Sequence, residues 1–63
     1  MKHKTFVIIN KKGELFSSIH NAHIIWVGLI DRAYLFEDYK TVERANKDIK
    51  GDIMRVKYLL ESV

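Results

Sequence analysis

Two histidines, His20 and His23, stand close together in the stretch His-Asn-Ala-His. Imidazole nitrogens at this spacing can share one metal ion, but zinc sites in proteins use three or four protein ligands. No further candidate ligand lies near the pair at a suitable spacing, and the chain has no cysteine. We therefore predict solvated loop histidines, with no metal and no other cofactor.

Nucleophilic catalysis is the second chemistry to consider, because the hydroxyl groups of Ser17 and Ser18 lie near His20 in sequence. The segment lacks the glycine-flanked serine of a nucleophile elbow, and a catalytic triad requires a geometry that closeness in sequence does not provide. The glycines of the chain are isolated from one another, so a glycine-rich phosphate loop is also missing. We predict that the protein is not an enzyme.

Basic residues give the chain a formal net charge of +3, which favours acidic partners such as nucleic acid or an acidic protein surface. Lysines flank the first apolar stretch, and further cations alternate with apolar residues near the end of the sequence. If these stretches are neighbouring strands, their cations could contact phosphates while Phe6, interleaved with Ile8, contacts bases. The alternative is that the lysines only keep edge strands soluble. Four cations are predicted to bind the partner: Lys11, Lys12, Arg55 and Lys57.

The longest apolar run, residues 24–30, contains the only tryptophan of the chain. It is far shorter than the roughly 20 residues that a membrane-spanning helix needs. The apolar stretch at 6–9, behind a basic start, is likewise too short for a secretion signal. We predict a cytoplasmic protein with no membrane partner, and the lack of cysteine fits a reducing compartment.

The first half of the chain has the composition of a β-hairpin. Residues 5–9 are rich in β-branched and aromatic side chains, which favour strands. Asn10 can open a type I turn, and Gly13 can take the left-handed position that a bulged hairpin requires. Residues 14–18 then return as a second strand, a polar stretch interrupts the pattern, and a third short extended segment is predicted within 32–36.

An amphipathic helix of about three turns is predicted to start after Asp38. Val42, Ala45 and Ile49 recur at helical spacing with charged residues between them. The Asp38 carboxylate can cap the helix by accepting a hydrogen bond from a backbone N–H of the first turn. Gly51 stands where a helix commonly ends.

The last segment, residues 52–62, alternates apolar and charged side chains. This period of two indicates a strand with Met54 and Val56 on a buried face and with Arg55 and Lys57 on an exposed basic face. The predicted fold is therefore α+β, a small antiparallel sheet of order ββ(β)αβ with one helix packed on one face. Its length predicts a single domain over residues 1–63.

At this level the chain resembles small bacteriophage proteins that combine an opening strand, a glycine hairpin, a tryptophan, an "ARLF"-like segment and a helix. The matching residues are FVI at 6–8, Gly13, Trp26, RAYLF at 32–36, Val42 and Ala45. The resemblance implies that Trp26 is a core anchor beside the sheet, and we expect it to be mostly buried with Val42 and Ala45 in the same core. The chain departs from the pattern in VGLI after Trp26, where polar residues are usual, and in Val42, where alanine is common.

The resemblance also implies a phage or mobile-element origin, and many such small proteins bind and inhibit a host factor. We therefore predict a non-catalytic protein of the host cytoplasm that inhibits or modulates a host protein. A defence nuclease, a toxin and a transcription factor remain equal candidates for that target. The alternative is a nucleic-acid-binding accessory protein that uses the basic sheet face.

Self-association is the remaining expectation. The strand at 6–9 is apolar on both sides, whereas one helix covers only one face of a sheet. Residues 24–30 could fold over the second face or stay exposed as a patch that a partner buries. A homodimer is predicted, and its interface residues are Ile24, Ile25, Val27, Leu29 and Ile30.

Overall fold

The computed structural model describes residues 6–56, which form a four-stranded antiparallel sheet with one α-helix packed on one face. The elements in chain order are β1 (Phe6–Ile9), β2 (Leu15–His20), β3 (His23–Val27), a 3-10 turn (Ile30–Arg32), α1 (Tyr39–Ile49) and β4 (Asp52–Arg55). The strands lie in the spatial order β3-β2-β1-β4, so that β3 and β4 are the edges. The predicted α+β class, with one helix on a small antiparallel sheet, is confirmed.

The turn between β1 and β2 has the predicted form. The Gly13 N–H donates to the Asn10 carbonyl at 3.0 Å, and Gly13 has a φ of 84°. The Asn10 side chain reinforces the turn, because its Oδ1 accepts hydrogen bonds from the backbone N–H groups of Lys12 and Glu14, both at 2.9 Å. This is a type I turn followed by a left-handed glycine, the arrangement that joins strands through a bulge.

The hairpin between β2 and β3 differs from the expectation that the polar stretch would interrupt the sheet. Strand β2 continues to His20, and Asn21 and Ala22 make the turn with φ values of 50° and 66°. Two left-handed central residues define a type I′ turn, which matches the twist of a tight hairpin. Alanine rarely adopts this conformation, so the dipeptide is a weak turn signal and β3 was not predicted.

The predicted third extended segment within 32–36 exists as a bridge between two strands. Phe36 and Phe6 exchange backbone hydrogen bonds of 2.8 and 3.1 Å, and the Tyr34 N–H donates to the Phe16 carbonyl at 2.9 Å. Among the described residues, β1 and β2 pair directly only at Ile9 and Leu15. The segment therefore fills the gap where these two strands diverge.

Helix α1 follows the prediction in extent and in its buried face. Val42 and Ile49 are buried and Ala45 packs against the same core cluster. The predicted cap is wrong in detail, because the Asp38 carboxylate accepts a hydrogen bond from the Thr41 hydroxyl at 2.6 Å and none from a backbone N–H. The Asp38 carboxylate therefore bonds to a side chain of the first turn and not to its backbone.

The end of the helix uses Lys50 as its left-handed residue, with φ of 62°, and Gly51 for a different purpose. A Cβ atom at Gly51 would lie 2.7 Å from both Ile8 Cγ2 and the Ile9 carbonyl oxygen. Glycine is needed there because the chain passes against β1. The Asn46 side chain fixes this crossing by accepting from the Gly51 N–H at 2.8 Å and donating to the Gly51 carbonyl at 2.9 Å.

The predicted faces of β4 are right for Arg55, which is exposed, and wrong for Met54. Ile53 packs against the core, while Met54 is 48% exposed. Arg55 pairs with Phe6, and its guanidinium carbon lies 5.4 Å from the centroid of that ring. Apolar residues occur on both faces of this strand, so alternation alone could not orient it; pairing of Ile53 with Ile8 decides the register.

The core forms where α1 lies over β1 and β4. Ile8 and Val42 are completely buried, and Phe16, Phe36 and Ile49 complete the cluster. Trp26 is only half-buried at the margin of this cluster, with its ring 6.4 Å from that of Phe16. Trp26 thus packs against the core from its edge, and Val42 and Ala45 face the same core, as expected.

Candidate functional site

Exposed apolar side chains are concentrated in one part of the molecule. The region of β2, β3 and the connection that follows them, residues 15–34, is here called the apolar half, and β1, β4 and α1 are called the packed half. Large hydrophobic side chains stand exposed at five positions of the apolar half: Ile19, Ile25, Leu29, Ile30 and Tyr34. In the packed half only Tyr39 and Met54 are exposed among the large hydrophobic residues that the structure describes.

The predicted dimer residues are divided between the core and the surface. Ile24 packs against the core cluster beside Trp26, and Val27 is half-buried. Ile25 is 39% exposed, and exposure is greater for Leu29 at 61%. Only the exposed members can contact a partner without rearrangement, and the dimer itself stays a prediction.

The sheet face opposite α1 is covered at its centre. Val7 points away from the side that carries Ile8, yet it is only 4% exposed. The single chain thus buries the middle of this face without a second copy. The need for cover that motivated the dimer is met at β1 but persists toward both edges, at Met54 of β4 and at Ile25 of β3.

An apolar cleft of about 450 Å³ lies between β2 and α1, on the helix side of the apolar half. The rings of Tyr34 and Phe36 pack edge-on, with their centroids 4.7 Å apart, and form part of its wall. The complete lining is Phe16, Ser17, Ser18, Ile19, Tyr34, Phe36, Ala45, Asp48 and Ile49. Helix α1 leaves this cleft open because it lies over β1 and β4.

A second cleft, of about 440 Å³, lies at the end of the sheet where two turns meet. One is the turn between β1 and β2, the other the turn between α1 and β4, and Trp26 completes the wall. We call it the turn cleft. Its lining is Ile9, Asn10, Lys11, Lys12, Glu14, Trp26, Lys50, Gly51 and Asp52.

The four predicted partner-binding cations do not gather at one place. Lys11 and Lys12 are exposed at the β1–β2 turn and line the turn cleft. Arg55 lies at the opposite end of β4, since Ile9 pairs with Asp52 near the turn and Phe6 with Arg55 far from it. Lys57 lies outside the described residues.

The first and last strands pair as the basic-face prediction required, but among the described residues the face that carries Phe6 and Ile8 lies against α1. Ile8 is completely buried beneath the helix, and the Phe6 ring packs edge-on against Tyr39 with centroids 5.7 Å apart. Sequence reasoning treated this face as exposed to solvent and missed Lys50, which joins Lys11 and Lys12 at the turn cleft. The sequence signal for Lys50 was its position at the end of the predicted helix, where the chain turns.

The histidine and serine candidates all lie in the β2–β3 hairpin. His20 and His23 were expected in a loop but are partners across the β2–β3 hairpin, and both are exposed. Among residues 6–56, no group of three His, Asp or Glu side chains is placed to hold a metal ion. The Ser17 hydroxyl, at the irregularity in β2, donates to the Arg32 carbonyl at 2.8 Å. This bond ties the connection to β2.

The chain was compared with protein families, curated proteins and solved structures, and none of them matches. Within the part of the chain that the structure describes, no helix is long and apolar enough to cross a membrane.

Proposed function

We propose that the chain is a non-catalytic binding module that contacts a partner protein through the exposed edge of its apolar half, formed by β3 and the connection after it. The observation that carries this proposal is the concentration of exposed large side chains between residues 19 and 34. In the setting implied by the resemblance to phage proteins, the partner is a host protein whose activity the module inhibits or modulates.

The energetics favour an apolar contact. Burying a large aliphatic side chain contributes about 1.5–3 kcal/mol when it was fully exposed beforehand. Leu29 and Ile30 retain much of this free energy because both remain exposed, at 61% and 45%. A partner that covers them gains affinity without unfolding any part of the packed half.

Strand β3 can align a partner by backbone hydrogen bonds. It is an edge of the described sheet, so its outer backbone groups have no neighbouring strand there. A partner strand can add to such an edge and place alternate side chains against Ile25 and its neighbours. We therefore propose β-strand addition at β3, with Leu29 and Ile30 at the end of the interface.

The test is capture of partner proteins from host lysate by the tagged chain, quantified by mass spectrometry. Leu29→Glu combined with Ile30→Glu should reduce the captured partner about tenfold or more, since each change loses apolar burial and adds a charge that must be desolvated. The matched control is Met54→Glu, which changes an exposed apolar residue on the opposite edge strand. Equal loss with the control, or no loss with the double variant, contradicts the proposal.

A second copy of the chain can use the same surface. Light scattering over a wide concentration range distinguishes this homodimer from a complex with a different protein. A mass that doubles in the parent but not in the Leu29→Glu, Ile30→Glu variant assigns the connection after β3 to self-association. A monomer mass at high micromolar concentration contradicts the predicted homodimer and leaves the surface for another partner.

A further inference from the structure

The structure has a second site that the proposed function does not use. We infer that the turn cleft binds a nucleotide unit, with its base against Trp26 and its phosphate among Lys11, Lys12 and Lys50. Trp26 belongs to β3, but its side chain lies on the sheet face opposite that of Ile25. Failure of partner binding in the Leu29→Glu, Ile30→Glu variant therefore leaves this inference standing.

Charge is the first reason. Lys11, Lys12 and Lys50 line the cleft together with two carboxylates, those of Glu14 and Asp52. The Glu14 carboxylate keeps its charge but is held at the turn, because its Oε1 accepts a hydrogen bond from Asn10 Nδ2 at 3.0 Å. Lysine ammonium groups bind phosphate as point charges. The small excess of positive charge suits one phosphate with a base attached better than the closely spaced phosphates of a duplex.

The aromatic wall is the second reason. Trp26 is half-buried and its ring is supported edge-on by Phe16, which leaves part of the side chain in the cleft. Nucleobases stack on aromatic side chains with little dependence on sequence. A volume of about 440 Å³ lies within the range of small-molecule sites. Together the indole and the lysines offer the two contacts that a nucleotide needs.

Preorganisation is the third reason. The Asn10 side chain holds the turn that carries Lys11 and Lys12. The Asn46 side chain holds Gly51, and the Lys50 N–H donates to the Asn46 carbonyl at 2.7 Å. Lysines on fixed turns lose less conformational freedom of the backbone when a ligand binds.

Lys50 itself is the fourth reason. It adopts a left-handed conformation at a position where helices usually have glycine. A side chain there carries a steric cost that glycine avoids. Such a residue persists when its side chain has a use, and at the turn cleft that use is a cation.

The experiment exploits the single tryptophan, since fluorescence of the purified full chain, excited where its three tyrosines do not absorb, reports on Trp26 alone. The probes are thymidine monophosphate, a short oligothymidylate, a DNA duplex and polyglutamate, each titrated at low salt. We expect quenching by the nucleotide and the oligothymidylate. Tighter binding of the oligothymidylate identifies a single strand as the source, whereas equal affinity identifies the free nucleotide. Absence of quenching by both, or equal quenching by duplex or polyglutamate, overturns the inference.

Lys50→Gly is the decisive variant because it removes the charge and also relieves the left-handed backbone, so folding is preserved. It should weaken oligothymidylate binding several-fold and lower the salt dependence by about 0.7 in the slope of log K against log salt. The control is Lys40→Gln, which removes a charge near the start of α1, away from the cleft. Equal affinity of Lys50→Gly and the parent, or equal weakening in the control, contradicts the assignment of Lys50.

Discussion

The packed half and the apolar half contain similar apolar residues but use them differently. In the packed half, Ile8 and Ile53 are neighbours across two strands and lie on the side covered by α1. In the apolar half, Ile19 pairs with Ile24, yet Ile19 remains 57% exposed because the helix lies elsewhere. The difference shows that, on the sheet face that carries Ile8, cover by α1 and not residue type decides which apolar side chains are buried.

The largest effect should come from the centre of the packed half. Ile8→Ala should destabilise the protein by about 2–5 kcal/mol, because Ile8 is completely buried and its loss leaves a cavity. Ile25→Ala, the counterpart in the apolar half, should cost below about 1 kcal/mol. Chemical denaturation of both variants measures the contrast. Equal losses would contradict the division into halves.

Gly51→Ala should have the next largest effect. The added methyl group would lie 2.7 Å from the Ile9 carbonyl oxygen, which is backbone and cannot move aside cheaply. We expect a loss of roughly 2–3 kcal/mol in unfolding free energy. The control is Gly28→Ala, where a Cβ atom meets no neighbour within 4 Å. A thermal melt of Gly51→Ala that matches the control would disprove the close crossing.

Asn46→Ala should be milder, because it removes the two hydrogen bonds to Gly51 without creating a clash. A cost of about 1–2 kcal/mol is expected from the loss of partly buried hydrogen bonds. Asn46→Asp keeps the acceptor for the Gly51 N–H but places an anion against the Gly51 carbonyl, so it should not restore stability. The denaturant midpoints of the parent and the two variants test this expectation. Full stability in both variants would show that the hydrogen bonds between Asn46 and Gly51 contribute nothing to stability.

The smallest effect on folding is expected at the β1–β2 turn. Lys11→Glu and Lys12→Glu should each change stability by no more than about 0.5 kcal/mol, since both side chains are exposed and the turn is held by backbone and Asn10 contacts. Circular dichroism should remain unchanged while binding of an acidic ligand weakens. A large drop in melting temperature would mean that these lysines have a structural role.

The sequence predicted those elements whose signals are local. Asn10 and Gly13 specify their turn through side-chain acceptors and a positive φ, and the spacing of Val42, Ala45 and Ile49 specifies a helix face. Both signals lie within a few residues of the structure they predict. The α+β class followed from their order.

The remaining features depend on contacts between distant residues. Residues 24–27 are apolar throughout, so strand β3 has no alternation to reveal it, and the tight turn at Asn21 and Ala22 lacks glycine. The faces of β4 depend on pairing with β1, which no pattern inside β4 specifies. The turn cleft was missed for the same reason, since Lys50 meets Lys11 and Lys12 only after the sheet has formed.

The central claim is that a partner protein binds at the edge strand β3. Hydrogen exchange of individual amides tests it most directly, measured first on the free chain and then in complex with the captured partner. Amides of β1 and α1 should be protected in the free chain, while the outer amides of the edge strand β3 should exchange quickly. Addition of the partner should slow exchange in β3 and at residues 28–30 and leave β4 unchanged. Protection that rises only in β4 or α1, with β3 still exchanging quickly, would contradict the account.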